Sequence, residues 1–539
     1  MSYDIFIKNG KVIDGAGNPW YKSDVGIKEG KIVKIGRNLR NDAECVINAE
    51  NLIISPGFID MHSHTDYILP VNNNAAAFVR QGITTCVIGM CGDGLAPMPA
   101  EKLEEGKKFL ARIHPLFNSI NITWNSYSEY LIELEKRFCS INLAPVVGYN
   151  NIRFAGGQGF ENRLPTETEL ENMKKYIEEA MKAGAFGLST GLVYAPQNFS
   201  KTDELIELAK VVAQYNGIYF SHIRSEGETI LEAIKEVIEI VEKSGCFGGQ
   251  IAHHKIVGRS YWDLSKETIK LIEEANARGL NITCDQYPYN RGMTKIIASL
   301  PPWVHEGGNE KLLERIKNSE DKEHIKKDVS KSIEGWENFI KSAGFDNIYL
   351  SAANTKKWKD VEGKSITEIT KLRNKKDNWE TYFEIILDEK GSSIITIEDM
   401  SEEDIRRIMK SRYQMIGTDG LAFPIRPRLG KYHPRSFGTY PRILSKYVRE
   451  EKLLTLEEAI RKMTSFPAQR LGLQDRGLIK EKMWADLVLF NPDTIIDKAT
   501  YDDPYQFPEG IPFVIVNGII VVENNKQTKN LPGKVLRRQ

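Results

Sequence analysis

His62-Ser63-His64 places two imidazoles two residues apart at the end of the apolar run Gly57-Phe58-Ile59-Asp60-Met61. Side chains two apart on a strand leave the same face, so both rings can address one point. Alone, such a pair reads equally well as two surface histidines in a loop. It does not stand alone. His222 follows Ile218-Tyr219-Phe220-Ser221, His253 follows Gln250-Ile251-Ala252, Asp419 follows Met415-Ile416-Gly417-Thr418, and Cys91 follows Thr84-Thr85-Cys86-Val87-Ile88-Gly89-Met90. Four of the nine histidines, one thiol and one carboxylate thus close strand-like runs. Imidazole and thiolate are the ligands zinc prefers, and three protein ligands plus a water make a catalytic site rather than a structural one. Zinc lowers the pKa of its water to about 7, which makes hydroxide chemistry available at neutral pH. A carboxylate placed as Asp419 is can accept that proton and return it to a leaving group. The adjacent His254 is expected to face away from His253 and serve packing.

These residues need a frame that brings strand ends to one face. Strand-like runs end near Met61, Met90, Gly148, Ser189, Ser221, Ala252, Asp285 and Thr418, with helical patterns between them. The clearest helix covers Thr166–Ala183: Thr166 and Glu169 match a capping box, Leu170, Met173, Ile177 and Met181 share a face, and Gly184 stops it. Glu228–Val241 repeats the pattern with Ile230, Ile234, Val237 and Ile238. Eight strands with intervening helices predict an α/β fold, a (β/α)8 TIM-type barrel over residues 58–287 and 401–475, with function at the C-terminal strand ends. Residues 288–400 separate the last two strands and are expected to form an inserted subdomain over the barrel mouth. Residues 1–57 hold short alternating runs broken at Asn9-Gly10, Asp14-Gly15 and Glu29-Gly30, read as hairpins. Residues 476–539 repeat that style in Asp486–Phe490, Phe513–Val516 and Ile519–Val522, so both termini are expected to build one small β domain.

Composition removes several classes of function. Of the 539 residues, Lys plus Arg and Asp plus Glu each number 73, so no basic field draws in nucleic acid or an anionic membrane. The longest apolar runs, such as Phe513–Val516, fall far short of the ~18–20 residues that span a bilayer. The start, Tyr3-Asp4-Ile5-Phe6-Ile7, has no signal-peptide pattern. Six sparse, irregularly spaced cysteines read as reduced thiols of a cytoplasmic protein. The expected partner is a small-molecule substrate, with no nucleic acid and no membrane.

The chain resembles the amidohydrolase superfamily and, within it, the N-acyl-D-amino-acid deacylases, or D-aminoacylases. Gly57–Asp66 and Ala185–Tyr194 carry the resemblance, together with His222-Ile223-Arg224-Ser225-Glu226, His253-His254-Lys255, Asp285-Gln286-Tyr287-Pro288-Tyr289, Ile416–Gly420, His433–Arg442 and Pro532–Arg537. Many binuclear relatives bridge two metals with a carboxylated lysine on the fourth strand. Here that strand ends Leu188-Ser189-Thr190-Gly191, and Cys91 stands at the position where the deacylases carry a cysteine.

The resemblance implies one tight zinc held by Cys91, His222 and His253, a second and weaker site at His62 and His64, and Asp419 as proton carrier. It implies Lys255 and Arg435 as cations for a substrate carboxylate, and Tyr194 and Tyr287 as hydrogen-bond donors, with Arg224 a lesser candidate. The activity implied is hydrolysis of N-acyl-D-amino acids. The alternatives are another amidohydrolase, such as a D-amino dipeptidase or cyclic amidase, and a non-catalytic scaffold of the same fold. Three stretches depart from the family pattern near the presumed pocket: Tyr149, Asn290–Thr294 and Ala422–Leu429.

Overall fold

Eight parallel strands carry the chemistry in a computed structural model that describes residues 2–538 except 41, 114–119, 334–335 and 426–428. They are β1 (Phe58–Asp60), β2 (Ile83–Ile88), β3 (Asn142–Pro145, continued by Val147–Gly148), β4 (Gly187–Gly191), β5 (Ile218–His222), β6 (Gly248–Ile251), β7 (Ile282–Gln286) and β8 (Gln414–Ile416). Neighbours in this order pair in parallel. The ring closes from β8 to β1: Met61 N–H donates to the Ile416 carbonyl at 3.3 Å and Asp419 N–H to the His62 carbonyl at 2.7 Å. The expected (β/α)8 barrel is therefore the fold, and each strand ends within two residues of the position read from sequence. Every residue of β4 to β8 is buried, because one face fills the barrel and the other meets the helices.

The helices follow their sequence signals. Glu167–Lys182 starts at a capping box in which Thr166 accepts from Glu169 N–H and the Glu169 carboxylate reciprocates, and it buries Met173, Ile177, Ala180 and Met181. Ile230–Ser244 ends at Gly245 in the left-handed conformation. Among the described residues, no helix is long and apolar enough to cross a membrane.

A nine-stranded sheet draws on both ends of the chain. Leu487–Phe490 runs antiparallel to Ile53–Pro56 and so joins Phe513–Val516 and Ile519–Glu523 to Tyr3–Val12, Tyr21–Lys28 and Lys31–Gly36. Glu29-Gly30 turns a hairpin with φ of +51° and +77°. Asn9-Gly10 does not. Tyr3–Val12 is one strand, and Asn9 at φ +66° sits in a register shift between Ile7 and Gly10 against a single partner strand. Because both halves keep the same neighbour, the left-handed residue makes a bulge instead of a turn.

Between β7 and β8 lies an antiparallel sheet of Arg291–Lys295, Ile394–Glu398 and Ile348–Ala352, packed with helices around its own core of Trp358, Tyr382 and Ile395. Lys295, Trp336, Phe339 and Asp399 of this segment line a cavity of about 190 Å³ at the C-terminal ends of the barrel strands.

Asp60 on β1 is fully buried and accepts from the Thr418 N–H at 2.8 Å, the Thr418 hydroxyl at 2.6 Å and the His62 N–H at 3.1 Å. Asp60→Ala leaves those three donors without their acceptor. At about 1–3 kcal/mol for each unpaired buried group, the unfolding free energy in urea is expected to fall by about 3 kcal/mol or more. A loss below about 1 kcal/mol would separate barrel closure from Asp60.

Candidate metal centre

Cys91, His253 and Asp419 lie two or three residues beyond β2, β6 and β8, and all three backbones are left-handed, with φ of +56°, +34° and +47°. Residues other than glycine rarely enter this region, and each costs of order 1–3 kcal/mol. The turn breaks strand alternation and so sets the direction of each side chain. Around Cys91 there is no room for a bulkier neighbour. A Cβ on Gly92 would stand 2.0 Å from Gln197 Oε1, and the Gln197 amide donates to the Cys91 carbonyl at 3.0 Å while accepting from Gly191 N–H at 2.6 Å.

Cys91 Sγ lies 3.3 Å from His62 Nε2, 3.5 Å from His253 Nε2 and 3.7 Å from His222 Nδ1. Tetrahedral zinc, with bonds of about 2.3 Å to sulfur and about 2.0–2.1 Å to nitrogen, separates its sulfur and nitrogen ligands by roughly 3.5 Å. The donor types and the three sulfur–nitrogen distances fit such an ion. A second cluster sits beside it, with His64 Nε2 3.1 Å and His62 Nε2 3.5 Å from Asp419 Oδ1. Among the described residues, the mutually close ligand atoms fall into three sets, His62–Cys91–His253, His62–His64–Asp419 and His222–Glu226–His253, none of which joins all of Cys91, His222 and His253. His62 thus belongs to the first two sets, where the sequence reading keeps it apart from Cys91. Its Nδ1 stands 3.3 Å from Asp285 Oδ1.

Burial dominates the electrostatics. It pushes the Cys91 thiol well above its usual range, with Asp419 and Asp93 adding to the push. It also pushes His222 and His253 well below theirs, which leaves neutral rings with a lone pair to give. For Asp419 burial acts upward, but Arg435, His62 and His253 outweigh it and hold the carboxyl well below the usual range.

The four residues assigned to substrate all line the cavity. Lys255 and Arg435 are each already at a carboxylate, however. Lys255 Nζ lies 2.6 Å from Glu226 Oε1, and Arg435 Nη1 lies 2.8 Å from Asp419 Oδ2. The Arg435 contact is close but poorly aligned, and its Nε and Nη1 find no hydrogen-bond acceptor among the described residues. Tyr287 lies between the two cations, its ring 5.6 Å from Lys255 Nζ and 4.7 Å from Arg435 Cζ. The Tyr194 ring meets His222 edge-on at 4.9 Å, and its hydroxyl accepts from Thr294 at 3.4 Å.

Other expectations need correction. Arg224 turns from the cavity and clamps Glu236 at 2.9 and 3.1 Å and two backbone carbonyls. Tyr149 is also directed away, its hydroxyl on Ser200 Oγ at 2.7 Å and on Glu204, because a buried Arg153–Glu204 pair needs that polar partner. Arg291 pairs with Glu398 between the rings of Tyr349 and Tyr501, whereas Gly292, Met293 and Thr294 line the cavity. Residues 426–428 of the last departure lie outside the described residues. His254 is buried off the cavity, with both ring nitrogens lacking a partner among the described residues.

Sequence reasoning passed over Glu226, Asp285, Asp93, Lys295, Glu337 and Asp399. Asp285, at a strand end like the ligands, carried a readable signal. Asp93 and Lys295, both at the cavity, sense one another's charge. Burial lowers the Lys295 ammonium to about 8 despite the opposing effect of Asp93.

A profile of the Amidohydrolase family matches residues 399–522. The chain is 32% identical to an N-acyl-D-glutamate deacylase of Alcaligenes xylosoxydans xylosoxydans, over 99% of this chain and 96% of that one. It is similar, at 30% identity, TM-score 0.83 and full coverage of both chains, to the crystal structure of N-acyl-D-glutamate deacylase from Bordetella bronchiseptica complexed with zinc and a phosphonate mimic of the tetrahedral intermediate. A D-aminoacylase structure, described for one-metal activation and second-metal attenuation at a binuclear centre, aligns at 30% identity and TM-score 0.81, over 99% of this chain and 100% of that one.

Metal analysis of dialysed protein is expected to find about one tightly held zinc per chain, lost in Cys91→Ala. His222→Ala is expected to cost more bound zinc than His62→Ala. Full zinc in Cys91→Ala would remove the thiol from the site.

Proposed function

The chain belongs to the N-acyl-D-amino-acid deacylase family of amidohydrolases, and on that premise we propose that it is a metal-dependent hydrolase cleaving N-acyl-D-amino acids to a carboxylate and a free D-amino acid. The observation that carries this reading is the thiol of Cys91 among three imidazole nitrogens, next to Asp419, in a cavity lined by Lys255, Tyr287 and Arg435. Cys91, His222 and His253 would hold the tight zinc, and His62 and His64 a second, weaker one. When bound, the ion supplies Lewis-acid polarisation of the amide carbonyl and lowers the pKa of water to about 7.

Asp419 moves the proton. Its carboxylate, kept ionised by Arg435, takes a proton from the attacking water and delivers it to the departing amine nitrogen. His64, 3.1 Å from Asp419 Oδ1, steadies the carboxylate. Arg435 has a second task, because its buried Nε lacks an acceptor among the described residues and can take the α-carboxylate of the substrate. Lys255 adds positive charge on the same wall, and the hydroxyls of Tyr194 and Tyr287 are hydrogen-bond donors for the carboxylate or the developing oxyanion. The attacking water is indifferent to the α-carbon, so enantiomer preference comes from where the carboxylate is anchored.

The wider assignments belong to the same reading. Residues 58–287 with 401–475 form the catalytic barrel, 288–400 the subdomain over its mouth, and 1–57 with 476–539 the β domain. Six free cysteines support a cytoplasmic location.

Asp419→Asn keeps the shape of the side chain but cannot take the proton, so turnover is expected to fall by ~10²–10⁴ with zinc content unchanged. Near-native turnover would exclude Asp419 as the proton carrier. With native enzyme, N-acetyl-D-amino acids are expected to be cleaved with little action on the L series, since losing one charge-assisted hydrogen bond costs about 1.5–3 kcal/mol, roughly 10–150-fold. Arg435→Leu is expected to raise KM for the acid and narrow its advantage over the corresponding amide. Equal rates on both enantiomers would sink the deacylase reading.

A further inference from the structure

Cys91 Sγ faces Nδ1 of His222 but Nε2 of His253, so the two rings present opposite nitrogens to the thiol. The nitrogens left over, Nε2 of His222 and Nδ1 of His253, both point to one carboxylate. Glu226 Oε1 lies 3.0 Å from His253 Nδ1, and Glu226 Oε2 lies 3.7 Å from His222 Nε2. That His222 nitrogen is buried and has no hydrogen-bond partner among the described residues. A ring that gives one nitrogen to a cation must carry its hydrogen on the other. A single carboxylate therefore faces the unused nitrogen of both rings, at 3.0 Å for His253 and at 3.7 Å, beyond hydrogen-bond distance, for His222.

Glu226 is itself held from three sides. Lys255 Nζ donates to the same Oε1 at 2.6 Å, which balances the buried charge, and the ammonium also stands 2.6 Å from His253 Nδ1. The Glu226 carbonyl accepts from Val257 N–H at 2.8 Å. From the inserted segment, Glu337 Oε2 accepts from the Glu226 N–H at 2.6 Å and from the Ser225 hydroxyl at 3.1 Å. Glu226 and Glu337 are both buried, at 4% exposure each, so water does not screen this chain of contacts.

We propose that Glu226 is the shared positioning residue of the metal centre, orienting His222 and His253 together, and that Glu337 couples the inserted subdomain to it. The inference rests on the reading of Cys91, His222 and His253 as ligands. Lys255 then has a structural task besides any contact with substrate, as counter-ion to Glu226.

The test is zinc affinity, measured by competition with a chromophoric chelator, together with the visible spectrum of cobalt-substituted protein. Neither depends on turnover. Glu226→Gln is expected to weaken zinc by about 10–100-fold and to change the cobalt–thiolate band, as loss of a carboxylate behind a ligand histidine does. Glu226→Asp keeps the charge opposite Lys255, and with it the fold, but withdraws the carboxylate by one methylene. It is expected to lose zinc affinity while retaining the native thermal transition, so the inference stays testable if Glu226→Gln does not fold. Affinity within twofold of native in the folded variants, with an unchanged cobalt spectrum, would overturn the role of Glu226. If Cys91→Ala binds zinc as native protein does, the ligand reading fails instead, and the two failures are distinguishable.

Discussion

Closure of β8 onto β1 is the contact on which the site depends. A parallel barrel sends all its C-terminal strand ends to one face, but only closure sets how His62 and His64 stand against Asp419. Several bonds secure it, among them the Asp419 N–H to the His62 carbonyl at 2.7 Å and the Thr418 hydroxyl to Asp60 at 2.6 Å. Gly417 allows the approach, since a Cβ there would stand 2.8 Å from the Cβ of His62. A side chain at that position would push the first and last strands apart and separate the two clusters that share His62. The intervening segment of more than a hundred residues leaves this register intact, because β7 and β8 still pair from Cys284–Gln414 to Gln286–Ile416.

Charge at the cavity is organised by opposition. Asp419 stands against Arg435, Glu226 against Lys255, and Asp93 senses Lys295. Burying ions is costly unless each has a partner, and here the pairing keeps charged groups in place where a metal and a carboxylate substrate would both need them. Backbone strain is also present there, with left-handed Cys91, His253 and Asp419 held by the surrounding barrel.

The inserted subdomain is more than a cover. It has a hydrophobic core of its own, yet it sends Lys295, Trp336, Phe339 and Asp399 to the cavity wall and Glu337 to the loop after β5. Burial and neighbouring carboxylates raise Glu337 to about 7 and Asp399 well above the usual range. The barrel strand ends carry the residues proposed as metal ligands, and the insert lines the cavity beside them.

Much of this could be read from the order of residues. The barrel strands, the capped helix at Glu167–Lys182 and the placement of ligand residue types at strand ends are local patterns, written in hydrophobic period and turn chemistry within a dozen residues. Side-chain partners were not legible. That Lys255 and Arg435 meet Glu226 and Asp419, that Tyr149 turns to Glu204, and that His62 stands between Cys91 and Asp419 are contacts between residues far apart in the chain. Asn9-Gly10 shows the same limit at short range: the dipeptide permits a left-handed residue, but the partner strand decides between turn and bulge. Local preference sets which conformations a segment favours, whereas the packing of distant segments sets which atoms meet, and the chemistry of this site depends on the second.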